Sequence, residues 1–273
     1  MSITFAKAPL VEIIAELRWG RLPQLSPQPN QAITLPLQMA GLNASKLDEF
    51  FMRFGGEIYQ HGFDRNERLV PPGFPLIIFQ PVYRYRKSAG TDASVLFQAG
   101  PGVFSANAIP PYRSWDTFAP VVQAGVEALL KTREETEKTL PFTSVSLRYI
   151  DAFTPNLTEG RDIGAFIKDV LGIRIALPEA LTKNIQTGKS AKPTLQFALP
   201  LSNGMFMNIN IGEGFVSNAT AVIMDTTVVT TTEVLPDRDA IMTTFNSARA
   251  VIHEIFVDIT KPIEGLMQPT GGE

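Results

Sequence analysis

The fold is decided by the stretch Val11-Glu12-Ile13-Ile14-Ala15-Glu16-Leu17-Arg18-Trp19. Every second residue of this stretch, counted from Val11, is apolar, and the charged residues Glu12, Glu16 and Arg18 fall on the alternate positions. A period of two is typical of a β-strand that buries one face and exposes the other. We therefore predict a strand over residues 8–19 whose apolar face joins a core.

The elements that follow this strand are predicted to be a helix, three strands and a second helix, and this order then repeats. Apolar residues at helical spacing, such as Phe50, Phe54 and Ile58, mark the first helix, and Ser114 is placed to cap the second. A last helix begins after Pro236-Asp237 and ends before Pro262. The predicted strands cover residues 8–19, 76–86, 95–99, 103–108, 142–153, 194–199, 205–211 and 215–231.

This order predicts an α+β fold made of two similar β-α-β-β-β-α halves, residues 1–140 and 141–273. The sheet is expected to be largely antiparallel, with the helices packed on one face, because an amphipathic helix buries its apolar stripe most simply against a sheet. We expect the two halves to pack as one compact pseudo-twofold unit.

Short sequence echoes support an internal duplication. Leu17-Arg18-Trp19 matches Leu147-Arg148-Tyr149 in the first strand of each half. Gly100-Pro101-Gly102-Val103-Phe104-Ser105 matches Gly212-Glu213-Gly214-Phe215-Val216-Ser217 in the same order. No lysine and no helix follow either Gly-x-Gly, so we interpret both as hairpin turns rather than phosphate loops.

The composition excludes several classes of protein. The 273 residues include no cysteine and two histidines, which removes disulfide scaffolds, thiolate metal sites and cysteine nucleophiles. No metal-binding or cofactor motif occurs, so we predict neither a metal nor a cofactor. Lys and Arg number 24 against 27 Asp and Glu, and the net charge of −3 argues against a general nucleic-acid-binding protein.

The first residues and the lengths of the apolar stretches are used to predict where in the cell the protein is located. The start Met1-Ser2-Ile3-Thr4-Phe5-Ala6-Lys7 lacks the basic and apolar regions of a signal peptide. No apolar stretch approaches the roughly 20 residues that a membrane helix needs. We therefore predict a soluble, cytoplasmic protein that does not act at a membrane.

The leading candidate site residues are Arg18 and Arg148, which occupy matching places in the two halves. Each precedes an aromatic residue, which is Tyr149 in the second half. Two such guanidinium groups are suited to hold a carboxylate or phosphate through paired hydrogen bonds. The alternative is a structural ion pair, for Arg18 with Glu12 or Glu16.

Asp151 is the next candidate, because it falls on the apolar face of its strand together with Tyr149 and Phe153. A buried carboxyl at this position would act as a perturbed acid or would anchor a backbone turn. Because Asp151 lies near the end of the strand, we expect it to be partly exposed.

A third candidate is the segment Tyr83-Arg84-Tyr85-Arg86, followed by Lys87. Aromatic rings beside cations suit single-stranded nucleic acid. Period-two alternation, however, places the rings and the guanidinium groups on opposite faces, and an edge strand protected by cations explains the pattern equally well.

The remaining polar residues are interpreted as structural. His61 and His253 lie in no recognisable motif, so we predict boundary or surface histidines. Asp225 is expected to face solvent, and the charged run of residues 131–138 is expected to form a solvated helix end.

Three stretches carry a resemblance that spans nearly the whole chain: Ala8-Pro9-Leu10-Val11-Glu12 with Glu16-Leu17-Arg18-Trp19, Leu147-Arg148-Tyr149-Ile150-Asp151, and Ile252-His253-Glu254-Ile255-Phe256. They resemble the opening, middle and end of a sporadically distributed prokaryotic family of uncharacterised proteins. The resemblance implies no particular activity. The patchy distribution of that family implies an accessory system, such as defence or a mobile element.

The function predicted from these observations is a non-enzymatic binding or interaction module that forms a homo-oligomer or binds a protein partner. The alternative is an enzyme that binds a phosphorylated or nucleotide-like substrate between the two halves, with Arg18 and Arg148 holding an anionic small ligand.

Overall fold

The computed structural model describes residues 3–20, 44–88, 94–111 and 114–270. The strands in these ranges are β1 Thr4–Phe5, β2 Leu10–Arg18, β3 Arg65–Arg68, β4 Tyr83–Arg86, β5 Val95–Gly100, β6 Val103–Ala108, β7 Ser144–Phe153, β8 Leu195–Pro200, β9 Met205–Val216, β10 Ala219–Thr230 and β11 Pro269–Thr270. The helices are α1 Ala44–Tyr59, α2 Trp115–Thr132, α3 Pro155–Thr158, α4 Ile163–Asp169, α5 Glu179–Thr182, α6 Arg238–Thr260 and α7 Glu264–Met267, with a 3-10 turn at Lys261–Ile263.

Nine of the strands form one sheet in the order β3-β4-β5-β6-β2-β7-β10-β9-β8, and the other two form a small sheet of their own. The pairs β3–β4, β4–β5, β5–β6 and β8–β9 are antiparallel. Helices pack on the large sheet, so the predicted α+β class is confirmed. The internal duplication and the division at residue 140 stay predictions.

The chain forms two compact units that each draw on separated segments. The first unit comprises Met1–Ile13, Arg148–Val228 and Ser247–Glu273. The second unit comprises Ile14–Leu147 and Val229–Asn246.

The core of the second unit is built from aromatic rings. The ring of Phe54 in α1 contacts the rings of Tyr85, Phe97 and Phe104, with centroid distances of 5.2, 6.3 and 5.6 Å. The hydroxyl of Tyr85 donates a hydrogen bond of 2.9 Å to the carbonyl oxygen of Phe51. These contacts hold α1 on the strands β4, β5 and β6, as its apolar stripe predicts.

The core of the first unit includes Phe153 at the end of β7. Its ring lies 5.0 Å from Phe166 of α4 and 6.4 Å from Phe256 of α6. The small sheet joins the two chain ends of this unit, because Thr4 pairs with Thr270 and Phe5 with Pro269.

The two Gly-x-Gly tripeptides do not play the same part. Gly100 and Gly102 form the predicted turn between β5 and β6, where Gly102 has a φ of 69°. Gly212 and Gly214 instead lie inside β9, and the turn to β10 is made by Ser217 and Asn218. The predicted turn at Gly212 is therefore wrong. Gly214 is required by close packing, because a Cβ there would lie 2.7 Å from Cγ1 of Ile223.

The region before β5 also differs from the prediction. The strand expected over residues 76–86 is short, since β4 covers only Tyr83–Arg86. The additional strand β3 has no apolar alternation, so its sequence did not indicate a strand. It pairs with β4 on the side opposite β5, and β4 is therefore not the edge strand that its cations suggested.

Candidate functional site

Strand β7 carries Arg148, Tyr149 and Asp151 in the first unit. The guanidinium of Arg148 donates two hydrogen bonds to Asp225 of β10, from Nε to Oδ1 at 2.7 Å and from Nη2 to Oδ2 at 2.6 Å. The side chain of Asp225 is only 22% exposed, so the expectation that it faces solvent is wrong. Because β7 and β10 are neighbours, the pair lies across two strands and neutralises the charge of Arg148.

Arg18 has its own carboxylate in the second unit. Its Nε donates to Oε1 of Glu16 at 2.7 Å, and its guanidinium lies 5.4 Å from the ring centre of Phe79. Arg18 and Arg148 thus belong to different compact units, and each is held by an acidic neighbour. This is the ion-pair arrangement that the sequence left open as the alternative to anion binding.

Asp151 is buried, with 4% of its surface exposed, so the expected partial exposure is wrong. Phe153 shares its strand face, and α4 and α6 cover that face through the rings of Phe166 and Phe256. Burial raises the pKa of Asp151 to about 7, and the carboxylate of Asp225 adds to the increase. Its protonation therefore changes near neutral pH. Tyr149 is half-buried.

The Tyr83–Arg86 segment presents its rings to the protein rather than outwards. Tyr85 is buried, and Tyr83 stacks on it at 6.2 Å and contacts Phe51 at 4.9 Å. Burial raises the pKa of Tyr85 far above its usual range. Arg84 pairs with Glu67 of β3 at 3.3 Å, and Arg86 is exposed. The buried ring of Tyr85 is therefore not accessible to a nucleic-acid base, whereas that of Tyr83 is half-buried.

Arg133 carries no sequence signal of its own, because it lies in the charged run of residues 131–138 that was expected to form a solvated helix end. It is fully buried at the end of α2, with the rings of Phe142 and Trp19 at 4.7 and 5.4 Å from its guanidinium. Both Nη atoms donate to the carbonyl oxygen of Leu140 at 3.1 Å. Burial lowers the pKa of Arg133, which the nearby carboxylate of Glu137 opposes. Cation–π contacts make this a structural site.

A cavity of about 560 Å³ that is open to solvent lies in the first unit, beside the end of β7. Its walls are residues 7–11, the segment from Ala152 to Leu157, Val216 of β9 and the chain around α7. Backbone hydrogen bonds hold these walls together, since Ala152 N–H donates to Pro9 O at 2.7 Å and Lys7 N–H donates to Met267 O at 2.9 Å. Thr154 separates the end of β7 from α3, and Pro155 occupies the first position of α3, where proline is favoured.

The lining of this cavity is mostly apolar with a few polar side chains. The polar side chains are those of Lys7, Thr154, Asn156 and Gln268. Within the described residues, no acidic side chain and no histidine lines the cavity. Asp151 does not line it, although the adjacent Ala152 does. No sequence signal marked this site, because the lining comes from four separated segments and contains no motif.

Within the ranges that the structure describes, no group of three or more His, Asp or Glu residues could hold a metal ion. No helix in those ranges is both long enough and apolar enough to cross a membrane. Comparison of the chain with protein-family models, with curated proteins and with solved structures gives no significant match.

Proposed function

We propose that the chain is a non-enzymatic binding module whose ligand site is the cavity of the first unit. The observation that carries this proposal is the cavity itself, with its volume of about 560 Å³ and its mostly apolar lining. Small-molecule sites have volumes of roughly 300–1,000 Å³ and combine apolar walls with a few polar groups.

The polar groups of the lining point to the class of ligand. Lys7 is the one cationic side chain among the described lining residues, and no carboxylate among these residues competes for it. Thr154, Asn156 and Gln268 add hydrogen-bonding groups at the same site. The ligand that fits is a small molecule with an apolar body and an anionic end, such as a monocarboxylate.

Binding is favoured over catalysis by the chemistry of the lining. General acid–base catalysis needs a titratable group within hydrogen-bond reach of the ligand. Asp151, whose pKa of about 7 suits a general base, lies outside the lining. The enzyme alternative relied on Arg18 and Arg148, and each of these already holds a carboxylate.

The wider role remains the one that the family resemblance suggests, an accessory prokaryotic system such as defence or a mobile element. The identity of the neighbouring genes tests this part of the proposal. Neighbours that all belong to core metabolism would contradict it.

Calorimetric titration of the full chain tests the ligand class. The probes are hexanoate, octanoate and phenylacetate, each paired with its neutral amide. We expect carboxylates to bind more tightly than amides. We also expect Lys7→Gln to weaken carboxylate binding about two- to fivefold, because Lys7 is exposed and an exposed ion pair contributes about 0.2–1 kcal/mol. Amide binding should hardly change.

A cavity-filling variant tests the location. Gly265 lines the cavity, and a Cβ at this position would have no atom within 4 Å. Gly265→Phe should therefore abolish binding while the protein stays folded. The matched control is Gly56→Phe in α1, which also has open space but lies outside the lining. Binding that Gly265→Phe leaves unchanged, or no binding of any probe, would contradict the proposal.

A further inference from the structure

The two edges of the nine-stranded sheet differ in chemistry. At one end, β3 reads Arg65-Asn66-Glu67-Arg68, and three of its four residues are charged. At the other end, β8 reads Leu195-Gln196-Phe197-Ala198-Leu199-Pro200 and has no charged residue. Proteins protect exposed sheet edges with charges, bulges or covering segments, because an unprotected edge pairs with another strand. The edge at β3 has charges of this kind, whereas β8 has none.

Among the described residues no strand pairs with β8 on the side away from β9, and this edge presents a defined set of backbone groups. Leu201 N–H donates to Met205 O at 2.9 Å, and the register continues with Leu199 opposite Met207 and Phe197 opposite Ile209. In an antiparallel pair, hydrogen-bonded positions alternate along the strand. The N–H and C=O groups of Leu199 and Phe197 therefore face β9, and those of Gln196 and Ala198 point to the open side.

The apolar face of the sheet extends onto β8 without full cover. Leu195, Phe197 and Leu199 lie opposite residues of β9 that are at most 8% exposed. Leu195 and Phe197 are half-buried, and Leu199 is 40% exposed. One more strand beside β8 would cover these three side chains and continue the apolar face.

We propose that two copies of this chain pair through β8, antiparallel, around a twofold axis beside Phe197. The pattern Leu-x-Phe-x-Leu reads the same in both directions, so Phe197 lies opposite the partner's Phe197 and Leu195 lies opposite the partner's Leu199. Gln196 of each copy exchanges two backbone hydrogen bonds with Ala198 of the other copy. The two such pairs make four bonds in all. The interface is isologous and closes as a dimer.

Electrostatics favours a second copy as the occupant. The strand carries no ionisable side chain, so identical strands meet without repulsion between like charges. The cation on its N-terminal side, Lys192, pairs with Glu213 of the same chain. Pro200 has no N–H and ends the ladder, which limits the pairing to Leu195–Leu199. This proposal is independent of the ligand-binding cavity.

A charge exchange at the axis tests the proposal by light scattering. The wild-type chain should have twice its chain mass of 29.9 kDa. Phe197→Lys and Phe197→Glu should each be monomeric, because two like charges would lie directly opposite each other. An equimolar mixture of the two variants should recover the dimer. The same substitutions at Met52, which is 69% exposed in α1, should leave the wild-type dimer unchanged.

A second variant guards against loss of folding. Ala198→Pro removes an N–H that points away from β9, so it should abolish the dimer while the circular dichroism spectrum and thermal melt stay close to wild type. A wild-type chain that is monomeric at all concentrations, or a dimer that survives both Ala198→Pro and Phe197→Lys, would overturn the proposal. A monomer that binds only an extended peptide of another protein would overturn it as well.

Discussion

Two buried ionisable side chains, Arg133 and Asp151, are accommodated in opposite ways. Arg133 spreads its charge over a planar group between two rings and donates both Nη atoms to Leu140 O. Burial disfavours the charged form of Asp151, and the carboxylate of Asp225 adds to this effect. Arg133 is therefore retained as a buried cation, whereas Asp151 takes up a proton near neutral pH.

The raised pKa of Asp151 predicts that the contribution of this side chain to stability increases as the pH falls from about 7 to about 4. The folded state binds the proton at about pH 7, whereas the unfolded chain binds it only near about pH 3.9. The part of the free energy of unfolding that depends on Asp151 should rise by about a few kcal/mol over this interval. In Asp151→Asn this part of the pH dependence should be absent. Urea unfolding across that pH range measures it.

The control for this prediction is Asp162, whose pKa is shifted in the other direction. Backbone N–H of Ala165 and the hydroxyl of Ser190 lower the pKa of Asp162. Its contribution to stability should therefore be lost only as the pH falls below about 3.9, so Asp162→Asn should leave the dependence between about pH 7 and 4 unchanged. Equal pH slopes in the wild type and Asp151→Asn would show that Asp151 does not titrate as described.

The contacts of Arg133 with Trp19, Phe142 and the Leu140 carbonyl predict a large loss of stability when the guanidinium is removed. Arg133→Ala should lower the free energy of unfolding by about 2–4 kcal/mol, because it leaves a cavity and an unpaired Leu140 carbonyl. Arg133→Lys should cost less, since an ammonium keeps a hydrogen bond but cannot lie flat on two rings. Urea unfolding compares both with Arg53→Ala, an exposed helix pair that should change stability by at most about 0.5 kcal/mol. A cost for Arg133→Ala no larger than this control would refute the structural role.

Helices α1 and α2 contain glycines whose roles are set by what lies beside them. A Cβ at Gly56 of α1 would have no atom within 4 Å, whereas a Cβ at Gly125 of α2 would lie 2.7 Å from the rings of Phe97 and Phe104. The first position is an exposed helix site, and the second is where α2 approaches the aromatic core of the second unit.

This difference predicts opposite effects of the same substitution. Gly56→Ala should raise the free energy of unfolding by about 0.5–1 kcal/mol through helix propensity. Gly125→Ala should lower it by about 1–3 kcal/mol, because the rings must move to admit the methyl group. Thermal or urea unfolding of the two variants gives the comparison. A stabilising Gly125→Ala would mean that the helix and the rings are not in close contact.

For the whole molecule, the order of strands bears on the proposed duplication. Outward from β2 the sheet continues with β6, β5 and β4, and outward from β7 it continues with β10, β9 and β8. Strand β6, which precedes the long helix α2, lies beside β2. In the same way β10, which precedes the long helix α6, lies beside β7. This order supports the duplication, which stays a hypothesis.

The compact units predict that fragments divided at residue 140 do not fold alone. Each unit takes segments from both sides of that point, since Met1–Ile13 belongs with Arg148–Val228 and Val229–Asn246 belongs with Ile14–Leu147. Residues 1–140 and 141–273 expressed separately should lack a cooperative urea transition, whereas co-expression should restore one. A single fragment with a sharp transition of its own would contradict this expectation.

Local sequence was sufficient to predict those strands, turns and helices whose periodicity or capping residues lie within the element itself. Alternation predicted β2, the Gly-Pro-Gly turn predicted the β5–β6 hairpin, and the Ser114 cap with its apolar stripe predicted α2. The tertiary structure alone decided that Asp151 and Arg133 are buried, that Arg148 meets Asp225, that β3 forms an edge and that a cavity lies beside Ala152. The reason is physical: periodicity and caps act within a few residues, whereas burial, ion pairing and cavities depend on which distant segments come to cover a side chain.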